Sequence, residues 1–212
     1  GLRVALVERG DFGAETSSNS LKTVHGGLRY LQHLGFGRMR ESICERSIWL
    51  RMAPHLVEPL PFLIPAHGLG PKGLLPLGAA NLLHDLVGWD RNRYVLPERR
   101  LPAGRILTRA QCLTLVPELD PKGLAGGILV HDAQLYSSER LILEIAQAAA
   151  LSGAAVVNYA EFETVRERRP GELRLALRDR LTGDSFDART RLVVNAAGSS
   201  APQLAAALTG RV

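Results

Sequence analysis

Within His25-Gly26-Gly27-Leu28-Arg29-Tyr30 the chain sets an imidazole, a guanidinium and a phenol beside two adjacent glycines. A guanidinium grips a phosphate or a carboxylate through two parallel hydrogen bonds, which a lysine cannot do. Arg29 is therefore the leading candidate for holding an anionic substrate, with the Tyr30 hydroxyl as a further polar group. Lacking a Cβ, Gly26 and Gly27 let the backbone approach a flat ring without side-chain obstruction. Upstream, Thr16, Ser17 and Ser18 supply small hydroxyls and accessible amides, which suit a pyrophosphate held close to the chain. The same residues also suit capping of a following helix. Glu8 closes the apolar run from Leu2 to Val7. In a dinucleotide-binding βαβ unit, an acidic residue at the end of the second strand accepts hydrogen bonds from the adenosine ribose hydroxyls. The chain opens at Gly1 directly in that strand, so the glycine loop of such a unit either lies upstream or never existed.

The elements that must position these groups follow from periodicity and punctuation. Leu2 to Val7 reads as a buried parallel strand. Arg38 to Ala53 has helical spacing, with Met39, Ile43, Ser47 and Leu50 on one face and Pro54 as its stop. Leu60 to Ile64 reads as a short strand between prolines, and Leu77 to Val87 as an apolar helix. Asp90 to Arg105 is basic and irregular. Thr108 to Gln111 has the form of a capping box opening a short helix before Pro117. Gly126 to Val130 reads as a strand. Ser138 caps a helix with Leu141, Ile142, Ile145, Ala148 and Ala149 inward, closed at Gly153. Ala154 to Tyr159 is the next strand. Glu161 to Arg168, Leu173 to Asp179 and Ser185 to Arg191 form a meander with turns at Pro170-Gly171 and Thr182-Gly183-Asp184. Leu192 to Ala196 is a further buried run ending at Gly198. The order predicts a mixed α/β fold with part of a parallel sheet.

A literal GxGxxG runs from Gly68 to Gly73, but Pro71 fixes φ within it and removes an amide that could donate to phosphate. It reads as a loop and not as a cofactor cradle. The 212 residues suffice for a sizeable core in one or two domains. A hydrophobic content of 46% and mean hydropathy of +0.01 are those of a soluble globular protein. The net charge of +5 would attract phosphates, anionic lipid or nucleic acid, and equally describes an Arg-rich solvated surface. Basic and aromatic residues do not interleave on a strand pair, so no nucleic-acid partner is expected. Cys44 and Cys112 stand alone, which gives no zinc site, no other metal centre and no disulfide framework, and suggests a reducing compartment. No leader peptide and no run of 18 apolar residues is seen.

The stretch Val4-Ala-Leu-Val-Glu-Arg-Gly-Asp-Phe-Gly-Ala-Glu-Thr-Ser-Ser-Asn-Ser-Leu-Lys-Thr-Val-His-Gly-Gly-Leu-Arg-Tyr-Leu31 resembles the FAD-linked glycerol-3-phosphate dehydrogenase and oxidase family. That family shows a strand ending in Glu or Asp, a Gly-Asp-Phe turn, Thr-Ser-Ser-x-Ser-x-Lys, then His-Gly-Gly-Leu-Arg-Tyr-Leu. Similarity extends through Ala53 to Leu63, His131-Asp-Ala-Gln134, Gly153 to Tyr159 and Val193-Val-Asn-Ala-Ala-Gly198. The resemblance implies an incomplete FAD-binding, Rossmann-like domain of the glutathione-reductase type, with a β-meander and part of a substrate or cap domain. Residues 1–58 and 126–212 would form the FAD-binding part and 59–125 the substrate-side segment. The chain would be an internal piece of the enzyme. Without the upstream glycine loop, it is expected to bind FAD poorly and to show no turnover alone.

Carried over residue by residue, the resemblance places Glu8 and Arg9 at the ribose and Thr16, Ser17 and Ser18 at the pyrophosphate. Ser20, Lys22, His25, Gly26 and Gly27 would lie near the isoalloxazine, where Lys22 would steady negative charge. Ala160 would offer backbone contacts to the adenine, and Gly198 would allow close approach to the flavin. Arg29 and Tyr30 would contact substrate, with His25 either a participant or structural. His55 and His131 are read as structural. The implied reaction is hydride transfer from the secondary alcohol carbon of sn-glycerol 3-phosphate to flavin, giving dihydroxyacetone phosphate, with quinone or oxygen as final acceptor. The helix from Leu74 to Val87, with Lys72 before it and Arg91 and Arg93 after it, reads first as a helix covering the core of the substrate-side domain and second as a contact with a membrane surface. The expected location is the cytoplasm, with the second reading placing the protein peripherally on the inner face of the cell membrane. Two departures from the family pattern stand out: Gly198-Ser199-Ser200 replaces Gly-Pro-Trp, and Leu135-Tyr-Ser-Ser-Glu-Arg140 lacks an acidic pair before its arginine. They leave room for another flavin-dependent substrate, a hydroxy acid or an amine. A non-catalytic basic binding module is the other alternative.

Overall fold

The computed structural model describes residues 1–68 and 70–210. In chain order the strands are β1 (Ala5–Val7), β2 (Thr23–Val24), β3 (Val57–His67), β4 (Arg105–Thr108), β5 (Leu124–Leu135), β6 (Ala155–Val157), β7 (Ala160–Arg169), β8 (Glu172–Asp179) and β9 (Ser185–Thr190). The α-helices are α1 (Phe36–Met52), α2 (Leu74–Val87), α3 (Arg109–Leu115), α4 (Ser138–Leu151) and α5 (Ala201–Thr209). The fold is mixed α/β with both parallel and antiparallel pairing, as expected. Two compact units emerge, residues 21–137 and residues 1–20 with 138–212. These boundaries differ from the expected 58/59 and 125/126. The reason is β5, whose long ladder ties residues 21–24 and 57–67 into one sheet with residues 105–108.

In the 21–137 unit β5 is the central strand. It pairs antiparallel with β3 along one edge, from Val57↔Leu135 to His67↔Leu124, and with β2 and β4 along the other. β3 is far longer than the five residues read between prolines. Pro59, Pro61 and Pro65 share one parity, whereas Leu56, of the other parity, accepts from Tyr136 N–H at 2.8 Å. The prolines therefore turn their missing donors away from β5, the arrangement an edge strand permits. β4 begins at Arg105, the last residue of the stretch read as irregular, and runs to Thr108.

α1 presents Met39, Ile43, Arg46 and Leu50 to the interior, all with zero exposure. Three of these follow the expected stripe, but the fourth is Arg46. Ser47 instead turns its hydroxyl onto the Ile43 carbonyl at 2.8 Å. Each buried aliphatic side chain of this size stabilises by about 1.5–3 kcal/mol relative to exposure. Arg40 makes a bidentate pair with Asp90, tying α1 to the turn after α2. Thr108 caps α3: its hydroxyl accepts from Gln111 N–H at 3.3 Å while the Gln111 side chain accepts from Thr108 N–H at 2.9 Å. The helix buries Cys112 against Leu107 and Leu124.

In the other unit β1 runs parallel to β6, in register Ala5↔Ala155 to Val7↔Val157. α4 supplies the helix that leads into β6, as a parallel connection requires. The run is not buried as expected: Leu2, ahead of β1, is 80% exposed and Leu6, within it, 44%, and β6 is the sole strand partner of β1 among the described residues. Ile145 and Ala148 of α4 are likewise exposed, and Ala146 is the apolar residue it buries. β7, β8 and β9 form the expected antiparallel meander, burying Leu175, Ala176 and Leu177. Leu192 to Ala196 forms no strand, and Val194 is 79% exposed, because no ladder partner meets it among the described residues.

Candidate functional site

Two sets of residues carry the chemistry, one in each unit. The first gathers at the end of β1. Glu8 N–H donates to the Val157 carbonyl at 2.9 Å, and the Glu8 carbonyl accepts from Ala160 N–H at 3.0 Å. The half-buried Glu8 carboxylate receives Gly10 N–H on Oε1 at 2.8 Å, which turns the chain sharply after the strand and leaves Oε2 as an acceptor. Tyr159, at φ +53°, donates its N–H to the Gly10 carbonyl at 3.1 Å. Ala160 is 3% exposed. It therefore belongs to this stitched turn beside Glu8, with its amide already committed to the protein. Arg9 is exposed and pairs loosely with Glu15 at 3.5 Å.

Thr16 and Ser17 lie in a single 3-10 turn over Glu15–Ser17, both exposed. None of the three hydroxyl residues caps the N-terminus of a helix. Ser18 bonds back to the Glu15 carbonyl at 3.0 Å, and the Ser17 carbonyl accepts from Ser138 Oγ at 2.6 Å. Ser138 thus anchors this turn to the start of α4 instead of acting as a simple cap. Gly13 packs so closely on α4 that a Cβ would stand 3.3 Å from Ile142. Gly198 opens a 3-10 turn at φ +53°, with open space where its Cβ would be. Its glycine requirement is conformational, since no neighbouring protein atom crowds it.

The second set lies in the 21–137 unit. Ser20 closes the first unit's segment, and Lys22, at φ +56°, immediately precedes β2, its carbonyl accepting from Leu135 N–H at 2.7 Å. After β2 the chain enters the glycine pair. Gly26 N–H donates to Asp132 Oδ1 at 2.6 Å, and its carbonyl accepts from His84 Nε2 at 3.2 Å. Because a carbonyl only accepts, His84 Nε2 must carry the proton. Asp132 forms an ion pair with Arg46, whose guanidinium fills the space where a Gly26 Cβ would stand. Gly27 sits at φ +74°, and a Cβ there would lie 2.8 Å from the Tyr30 ring. The pair of glycines is thus required by packing behind the chain, a reason additional to any ligand in front of it.

Gly27 leads into a 3-10 helix over Leu28–His33 that displays Arg29 and Tyr30. Tyr30 meets His25 edge-on at 6.1 Å between ring centres. Arg29 is exposed and makes no hydrogen bond or ion pair among the described residues. Both residues line an open cavity of about 740 Å³ with His25, His33 and Arg38, and no carboxylate lines it. A cavity walled by unpaired basic groups favours an anion. The structure therefore brings His25, Arg29 and Tyr30 together, and separately brings together Glu8, Arg9 and Ala160.

Arg46, Asp132 and His84 were not singled out from sequence. Burial and then the Arg46 charge push the His84 imidazole below its ordinary value. Burial, followed by the Arg91 charge, does the same to His131. Burial likewise lowers Arg46, opposed by Asp132. The available signal for Arg46 was a charge at a stripe position, three residues after Ile43 and four before Leu50. Among the described residues no group of side chains has the makings of a metal site. Cys44 and Cys112 are both free thiols.

Among known proteins, the chain is 35% identical over 202 residues to a glycerol-3-phosphate dehydrogenase of Synechocystis, covering 93% of this chain and 35% of that protein. It is 35% identical over 211 residues to the human mitochondrial glycerol-3-phosphate dehydrogenase, covering 93% of this chain and 28% of the relative. The chain thus spans about a third of the length of the curated relatives it matches. A crystal structure of the glycerol-3-phosphate dehydrogenase from Bacillus halodurans, complexed with FAD, superposes with a TM-score of 0.61 at 27% identity, covering 93% of this chain and 29% of that one. The family model described as FAD dependent oxidoreductase matches residues 1–212. The resemblance read from the residues between Val4 and Leu31 is borne out along the whole sequence, and the chain belongs to the FAD dependent oxidoreductase family.

Proposed function

We propose that the intact protein is a FAD-dependent dehydrogenase that oxidises sn-glycerol 3-phosphate to dihydroxyacetone phosphate. The observation that carries this reading is Arg29, a guanidinium without a protein partner in a cavity walled by basic side chains. It stands within a segment similar to relatives named glycerol-3-phosphate dehydrogenase. The residues fit the cofactor. The Glu8 carboxylate retains an acceptor oxygen for a ribose hydroxyl, and the exposed Thr16–Ser18 turn offers hydroxyls and amides to a pyrophosphate. Ser20, Lys22, His25, Gly26 and Gly27 would flank the ring, with Ala160 near the adenine and Gly198 allowing close approach. Bound FAD would supply the two-electron acceptor for the hydride leaving the alcohol carbon, while the hydroxyl proton passes to a base. Arg29 grips the substrate phosphate, and Tyr30 and His25 orient the polyol hydroxyls. The acceptor of the electrons is a quinone or oxygen.

The protein works in the cytoplasm, peripheral on the inner face of the cell membrane. Supporting this, α2 exposes Leu75, Leu82 and Leu86, followed by Trp89, with the basic Lys72 and Arg93 at its ends. Among the described residues no helix is long and apolar enough to cross a membrane.

Anaerobic mixing of the full-length protein with glycerol 3-phosphate tests the reading. Loss of oxidised-flavin absorbance with formation of dihydroxyacetone phosphate is expected. Flavin that is reduced by a hydroxy acid or an amine and not by glycerol 3-phosphate would overturn it, because Arg29 binds a carboxylate equally well.

A further inference from the structure

The Gly26 peptide unit is clamped from behind at both its polar ends. Asp132, from β5, takes its N–H at 2.6 Å, and His84, from α2, takes its carbonyl at 3.2 Å. Asp132 is in turn paired with Arg46, which has no exposure and also donates from Nη1 to the His131 carbonyl at 3.1 Å. None of Asp132, His84 and Arg46 lines the cavity that holds Arg29. All three converge instead on the peptide that precedes Gly27, the residue from which the 3-10 helix bearing Arg29 and Tyr30 begins. A buried ion pair contributes little net stability compared with apolar residues of the same volume. Here Arg46 Nε and Nη2 even lack partners among the described residues, so the pair is not optimised for stability. What it does secure is the direction of one turn.

We propose that Asp132, backed by Arg46, and His84 are positioning residues that fix the Gly26-Gly27 turn and through it aim the Arg29 guanidinium at the substrate phosphate. This rests on the reading of Arg29 given above. Full-length, flavin-loaded protein is the material for the test. Asp132→Ala removes one hydrogen bond to the turn, and KM for glycerol 3-phosphate should rise about tenfold, with kcat changed less than about threefold. Asp132→Asn keeps an acceptor for the Gly26 amide. It should lower the thermal midpoint, because Arg46 loses its counter-charge, yet hold KM within about threefold of the parent. His84→Leu releases the other end of the peptide from a different helix and should raise KM as Asp132→Ala does. It decides the matter if Asp132→Ala does not fold.

Hydrogen–deuterium exchange provides a readout independent of turnover. In Asp132→Ala or His84→Leu the segment 22–34 should exchange faster, while 105–115 is unchanged. Midpoints that fall with KM and the exchange of 22–34 both unaltered would show a merely structural role and overturn the proposal. If the parent protein is not reduced by glycerol 3-phosphate, the reading of its substrate fails. The exchange measurement still decides whether the clamp sets the turn.

Discussion

Gly26→Ala is the sharpest single perturbation of this fold. The added methyl would collide with Arg46 Nη1 and stand 2.5 Å from Cζ and 2.8 Å from Nη2. Arg46 is not a loose surface side chain that can swing aside, since it has no exposure and is bonded to Asp132 and to the His131 carbonyl. Either the guanidinium leaves Asp132 or the turn leaves the Asp132 carboxylate. Breaking a buried pair costs about 3–5 kcal/mol, and forcing atoms into a packed interior costs about 1–3 kcal/mol. Taking about 3 kcal/mol as the lower figure, the melting midpoint should fall by roughly 6–12 °C on the scale of a protein of about 150–250 residues. Thermal unfolding followed by circular dichroism measures this. Gly37→Ala is the control: apart from its chain neighbours and the backbone of α1 itself, nothing lies within 4 Å of its Cβ position in the first turn of α1, so the same substitution there should stabilise by up to about 1 kcal/mol. A Gly26→Ala midpoint within about 1 °C of the parent would refute the packing argument, because losing a buried pair should shift it by several degrees.

Three further expectations follow. Thr108→Ala removes the α3 cap and should cost about 1 kcal/mol, or roughly 2–4 °C in midpoint, without altering the substrate cavity; an unchanged midpoint would show that the capping box contributes nothing here. Arg29→Met should leave the midpoint within the change of about 0.5 kcal/mol usual for surface substitutions, since it has no protein partner. It should weaken binding of glycerol 3-phosphate to the full-length enzyme by about 10- to 150-fold, the worth of a charge-assisted bond, as measured by KM. The third concerns pH. His84 is held below its ordinary value of 6.5, so the unfolded chain binds more protons in the interval below 6.5. Its contribution to stability is complete above that pH and is lost as pH falls through the lowered value. Denaturant midpoints measured from pH 7.5 downward should therefore drop, and the drop should be shallower in His84→Leu; equal slopes in the two proteins would contradict this assignment.

How far sequence alone reaches differs from element to element. The meander, the α3 cap and the apolar positions of α1 were legible because each follows a local rule of period or punctuation. The length of β3 was not, because prolines normally interrupt a strand and their shared parity matters only once β3 is known to lie at an edge. Leu192 to Ala196 has the composition of a strand, but a strand also requires a neighbour, and composition does not supply one. At the site, Arg29, Tyr30 and His25 were visible as a cluster of chemistry-bearing side chains around glycines. Arg46, Asp132 and His84 come from three separate elements, 86 residues separating the first two. Only the folded sheet brings them to one peptide, and no local pattern encodes that meeting. Gly26 was recognised for what it would admit in front of the chain, while the atoms filling the space behind it were invisible.

The parity of Pro59, Pro61 and Pro65 has a consequence for association. Along its outer margin β3 offers carbonyl oxygens at these positions but no amide hydrogens to answer them. A stray extended chain arriving there would find half of the usual zipper absent at three places in seven residues. That margin is poorly suited to templating fibril-like stacking, a safeguard written into the backbone chemistry and independent of surface charge.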